Sequence, residues 1–153
     1  MIGVIEMAKC YYPVIFFPDE TASGEKTFGA VVPDLQGCLT QGDDLTDAMY
    51  WTVDAMGTWL DGLDEKDYPK PSKPDELDLS EYPEGTIVNV IEFDPDKYFH
   101  TVRYAAKKAG LDIKQTAELL GAPYNTVRNW FKGTHQPPPW IERLVVEKIQ
   151  SVV

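Results

Sequence analysis

A chain of 153 residues with 43% hydrophobic and 12% aromatic side chains is globular in composition and long enough for one ordinary domain or two small ones. Its formal charge of −11 argues against nucleic acid until the halves are separated. Residues 1–98 carry 6 Lys, no Arg and 21 carboxylates for −15, whereas residues 99–153 carry 5 Lys, 3 Arg and 4 carboxylates for +4. An acidic half repels phosphate and attracts basic proteins, and a basic half does the reverse. Cys10 and Cys38 are the only cysteines and lack metal-like spacing, which excludes a disulfide framework and a zinc site. They read as small buried hydrophobes. No apolar run reaches the ~18 residues of a membrane span, and residues 1–10 lack the pattern of a signal peptide. The expected compartment is the cytoplasm, with no membrane contact and no cofactor.

Residues 11–17 are aromatic and β-branched and predict a strand, with Pro13 suggesting an edge or the strand's first positions, since proline cannot donate to a ladder. A polar loop over 21–26 leads to a second strand at 28–32, closed by Pro33-Asp34, and a short third strand follows at 38–41. Asp44 can cap the next helix, with Asp47 completing a weak capping box. Leu45, Ala48, Met49, Thr52, Ala55, Met56, Trp59, Leu60 and Leu63 recur at helical spacing as one apolar stripe. Asp47, Asp54 and Asp61, seven apart, fall on the opposite side and read as a solvated face. Residues 64–85 are charged and contain Pro69, Pro71, Pro74 and Pro83, which predicts a wrapping or linking loop. The last strand is expected over 86–93. The whole reads as an α+β protein: an acidic β-β-β-α-β domain over residues 1–96, then an all-α domain over 97–153.

In the second domain Val102, Ala105, Ala106 and Ala109 suggest a helix closed by Gly110. Another spans about 113–120 and stops at Gly121, and a third covers 124–132 and stops at Gly133. A fourth opens in 137–140 and carries Ile141, Leu144, Val145 and Ile149. Two short helices joined by a tight turn can lay the second in the major groove of DNA. The candidate DNA-binding residues are Tyr124, Asn125, Thr126, Arg128, Asn129 and Lys132. An asparagine can donate and accept at a base edge, Arg128 can pair bidentately with guanine, and Thr126 can reach a phosphate or a thymine methyl. A plain three-helix bundle would show the same periodicity.

Two resemblances sharpen these expectations. Gly110–Gly121 (GLDIKQTAELLG) followed by Ala122–Gly133 (APYNTVRNWFKG) resembles the Cro/CI-type phage repressor helix-turn-helix. Ile113 stands where that family usually has a phosphate-touching glutamine, and Pro123 where it usually has a capping serine. Earlier in the chain, PDLQGCLTQGD at 33–43, with the strands before it and the helix after it, is similar to the HicB antitoxin family over roughly residues 11–93. That resemblance implies a partial ribonuclease-H-like fold that covers a small basic messenger-RNA-cleaving toxin, HicA. A separate DNA-binding domain would repress the operon by binding double-stranded operator DNA, as a homodimer or higher homo-oligomer. The competing expectation is a stand-alone phage-type regulator whose HicB-like domain serves oligomerisation or effector binding. A degenerate metal nuclease is third. Such chemistry requires converging carboxylates, one in the first strand, and residues 11–17 contain none. His100 and His135 have no nucleophile pattern beside them, so no catalytic residue and no metal site is assigned.

Overall fold

Tyr12, Val14 and Phe16 alternate with Pro13 and Ile15 along the first strand, β1 (Cys10–Glu20), and all five are buried. A strand covered on both faces must have a layer on each side. The computed structural model describes residues 8–99, 101–132, 135 and 137–152. The chain falls into two compact units, Met1–Pro95 and Asp96–Val153.

In the first unit β1 pairs antiparallel with β2 (Lys26–Val31) and with β4 (Ile87–Phe93), while β3 (Leu39–Gly42) adds to the far side of β2. The order is β3-β2-β1-β4. The α+β class and the β-β-β-α-β succession therefore stand as read from the sequence. Of the two placements read for Pro13, the edge fails because β1 is central, while the position near the strand's start stands. The prolines are tolerated because the two ladders along β1 are staggered. Pro13 pairs with Val90 of β4 before the β2 ladder begins at Ile15, and Pro18 pairs with Phe28 of β2 after the β4 ladder ends at Phe16. Each occupies a stretch with one neighbour only, where a missing N–H need break no bond. The strand also runs past residue 17 to include Asp19 and Glu20, both exposed at the hairpin end.

Helix α1 (Leu45–Leu60) packs against β2, β3 and β4 on the face to which Gly42 points, and the strand registers put Tyr12, Val14 and Phe16 on that same face. Asp44 caps it by accepting from the Asp47 N–H at 2.8 Å, and the Asp47 carboxylate accepts from the Asp43 N–H at 2.8 Å, one residue earlier than a regular capping box. Ala48, Thr52, Met56, Gly57 and Leu60 are its buried side. Leu63, expected to continue the stripe, lies beyond the helix and is 38% exposed. Gly42 lets the helix start close to β3: a Cβ there would stand 2.2 Å from the Ala48 backbone nitrogen.

Residues 61–86 form a strap containing two single 3-10 turns, Glu65–Asp67 and Pro74–Glu76. The Tyr12 hydroxyl donates to the Pro69 carbonyl at 2.6 Å, and the Ser72 N–H and hydroxyl both donate to the Asp34 carboxylate at 2.9 and 2.6 Å. Tyr82 then meets Phe17 with ring centroids 5.4 Å apart, on the sheet face opposite α1.

The second unit is helical: α2 (Pro95–Tyr98), α3 (Val102–Lys108), α4 (Ile113–Leu120), α5 (Tyr124–Lys132) and α6 (Pro139–Gln150). Val102, Ala105, Ala106, Val146 and Ile149 make its core, with Leu111, Leu119, Leu120, Trp130 and Phe131 packed around them. Leu144 faces outward at 53% exposure, and Val146 takes the inward position instead. The stop expected at Gly133, like His100, lies outside the described residues. Among the described residues no helix is long and apolar enough to cross a membrane.

Candidate nucleic-acid and protein interfaces

Helix α4 is fixed at both ends by local chemistry. The Asp112 carboxylate accepts from the Gln115 N–H at 2.7 Å, and the Gln115 side chain accepts from the Asp112 N–H at 2.9 Å, a full capping box. At the other end Gly121 adopts φ +63°, and the Ala122 N–H returns to the Ala117 carbonyl at 3.1 Å. Only Gly121, Ala122 and Pro123 separate α4 from α5. Pro123 offers no capping side chain, but its carbonyl accepts from the Thr126 and Val127 N–H groups at 3.1 and 3.2 Å and so starts α5. The two helices pack together.

Val127 is fully buried and Trp130 and Phe131 half-buried, so these three anchor α5 to the unit and set which side faces water. All six sequence-selected residues lie on α5. Tyr124 (51% exposed), Asn125, Arg128 and Lys132 share its exposed side. Thr126 and Asn129 are half-buried at the margins, and the Asn129 carbonyl accepts from the His135 N–H at 3.5 Å. Donors that match base edges and phosphates therefore sit together on one helix face. Sequence reading missed Lys114, which is exposed in the first turn of α4. Its signal was present: a cation one residue after Ile113, the position that departs from the repressor pattern.

The first unit presents a different surface. Asp64, Glu65, Asp67, Asp75, Glu76, Asp78, Glu81 and Glu84 are all exposed along the strap. By contrast Asp47, Asp54 and Asp61, expected as a solvated face, are half-buried. Asp47 is occupied at the helix start and Asp61 is the C-terminal cap residue of α1, which corrects that expectation. Burial pushes the Cys38 thiol up to about 11. Burial first, and then the neighbouring Glu65 charge, pushes Cys10 to about 11 as well. Neither is a nucleophilic thiolate at neutral pH. Among the described residues no three His, Cys, Asp or Glu side chains are grouped to hold a metal ion.

A family described as the HicB_like antitoxin of bacterial toxin-antitoxin systems matches residues 12–106. The match takes in the sheet, α1, the strap and most of α3, and leaves α4 to α6 outside. A solved toxin-antitoxin complex from Streptococcus pneumoniae contains a similar chain, at 20% identity and TM-score 0.50 over 72% of this chain and 95% of that one. A crystal structure of antitoxin HicB3 is similar at 29% identity and TM-score 0.42, covering 58% of this chain and 65% of that one. No curated protein matches.

Proposed function

Because this chain belongs to the HicB-like antitoxin family of bacterial toxin-antitoxin systems, we propose that it neutralises a cationic, HicA-like ribonuclease toxin and represses its own operon by binding operator DNA. The observation that carries this reading is the division of exposed chemistry between the units. One unit displays eight strap carboxylates, and the other displays Tyr124, Asn125, Arg128 and Lys132 on a single helix. The acidic surface steers a basic protein into contact and occupies the charges that RNA phosphates would need. In the second unit α4 and α5 act as a helix-turn-helix with α5 as the recognition helix, and Lys114 and Lys132 contact backbone phosphates. The first unit is a partial ribonuclease-H-like fold without nuclease activity, and the protein acts in the cytoplasm as a homodimer or higher homo-oligomer on paired half-sites about 34–36 Å apart.

Purifying the chain with the product of the adjacent reading frame, and titrating the complex onto upstream duplex DNA, tests both halves of the proposal. The expected result is a complex with a short basic protein whose toxicity is relieved by co-expression, and retardation of the upstream duplex. Arg128→Ala should cost roughly 1–3 kcal/mol of specific DNA affinity and leave toxin binding intact. Continued growth arrest on co-expression refutes the antitoxin role. Equal loss of both activities in Arg128→Ala refutes the separation of roles.

A further inference from the structure

The two edges of the sheet are unlike. β3 is four residues long and ends at Gly42 under the start of α1, so it is a short, protected edge. β4 is seven residues long, and among the described residues it pairs with β1 alone. Its sequence, IVNVIEF, has no proline and no lysine, and Ile87 and Val90 are 37% and 49% exposed. Long apolar edges with unpaired backbone donors and acceptors are ordinarily blunted by charge, proline or a bulge, because they template pairing with another strand. Here the blunting is slight: β4 has no proline, and its one charge is Glu92.

Charge decides what the occupant is. Residues 1–98 carry a formal −15, so a second copy of this unit is repelled from most of the surface, and a cationic partner is drawn to the strap. On β4 the one charged side chain is Glu92, already paired with Lys9 at 3.7 Å. The edge is thus the neutral stripe of an acidic domain, the place where two copies can meet without opposing carboxylates. We propose that β4 pairs antiparallel with β4 of a second copy about a two-fold axis at Val90, joining two four-stranded sheets into one of eight. In that register Glu92 faces the second copy's Val88, Ile87 faces Phe93, and no two carboxylates of the strand oppose each other. An isologous contact of this kind closes the assembly at two copies. It also sets the two Phe93 positions six residues apart, roughly 20 Å at ~3.4 Å per residue. This inference deepens the homodimer named under the proposed function by giving it a contact, and its test needs neither toxin nor DNA.

Sedimentation equilibrium of the full chain reads the assembly mass. Val90→Lys and Val90→Glu each put two like charges on the axis and should halve that mass. Equal amounts of the two variants, mixed, should restore it, since lysine then faces glutamate. An assembly unchanged in either variant, or a mixture that stays dissociated, overturns the edge contact. Amide exchange in the wild-type chain gives an independent reading: residues 87–93 should be protected well above the dissociation midpoint and exchange at least tenfold faster well below it. Equal protection at both concentrations also overturns the contact. A wild type that is monomeric at every concentration removes the homodimer along with it. An assembly indifferent to both Val90 variants removes the edge alone.

Discussion

Gly42 is where a single hydrogen decides the packing of the first unit. A methyl group there would meet backbone atoms of Asp47 and Ala48 at 2.2–2.6 Å, and a helix backbone cannot rotate aside as a side chain can. Gly42→Ala should therefore cost roughly 1–3 kcal/mol, measurable as a lower urea midpoint with an unchanged m-value. The thiols and Tyr12 give a second test at this scale. Burial raises Cys10 and Cys38 from 9.0 to about 11 and Tyr12 from 10.0 to about 12. Raised values mean that the folded state holds these protons longer than the unfolded one. Their stabilising contribution is complete below pH 9, the unfolded thiol value, and drains away as pH climbs through about 11 to 12. Alkaline denaturation should begin in that window, and Cys38→Ala should flatten its first part. Alkylation of Cys38 in the native chain should stay slow at pH 8 and accelerate only as that window is approached.

Among the elements, α4 rests most visibly on its ends. It is eight residues long, too short to be stable without capping and packing. Asp112→Ala removes the acceptor for the Gln115 N–H and should cost about 1 kcal/mol of stability, seen as a lower melting temperature and faster amide exchange in α4. The span of this helix and its stop at Gly121 were legible beforehand, because they depend on near neighbours, whereas the capping box of Asp112 and Gln115 emerged only in the structure. Leu144 was misplaced for the converse reason. Helical spacing admits either Leu144 or Val146 to the core, and only the packing of α6 against α3 selects Val146. The solvated face assigned to Asp47, Asp54 and Asp61 is half-buried instead, and the capping role read for Asp47 is met one residue earlier, at the Asp43 N–H.

At the scale of the molecule, the opposite charges of the two halves predict that salt weakens the hold on both partners. Toxin association should slow as ionic strength rises, because steering acts through fields that salt screens. Operator affinity should fall linearly on a log–log plot, with about 0.9 in slope per phosphate neutralised. Lys132→Ala should lower that slope by about 1 and leave the toxin association rate unchanged. An unaltered slope would remove Lys132 from the phosphate contacts.

The residues alone determined the α+β class, the succession of strands and helices, the charge split and the bounds of α5, because periodicity, capping and charge are carried by near neighbours. Tertiary structure decided that β1 is central, that the proline-rich segment is a strap, and that β4 ends the strand order among the described residues. Those outcomes depend on which strands, far apart in sequence, come to lie side by side, and a pleat's two-residue alternation is the same whichever neighbour a strand acquires.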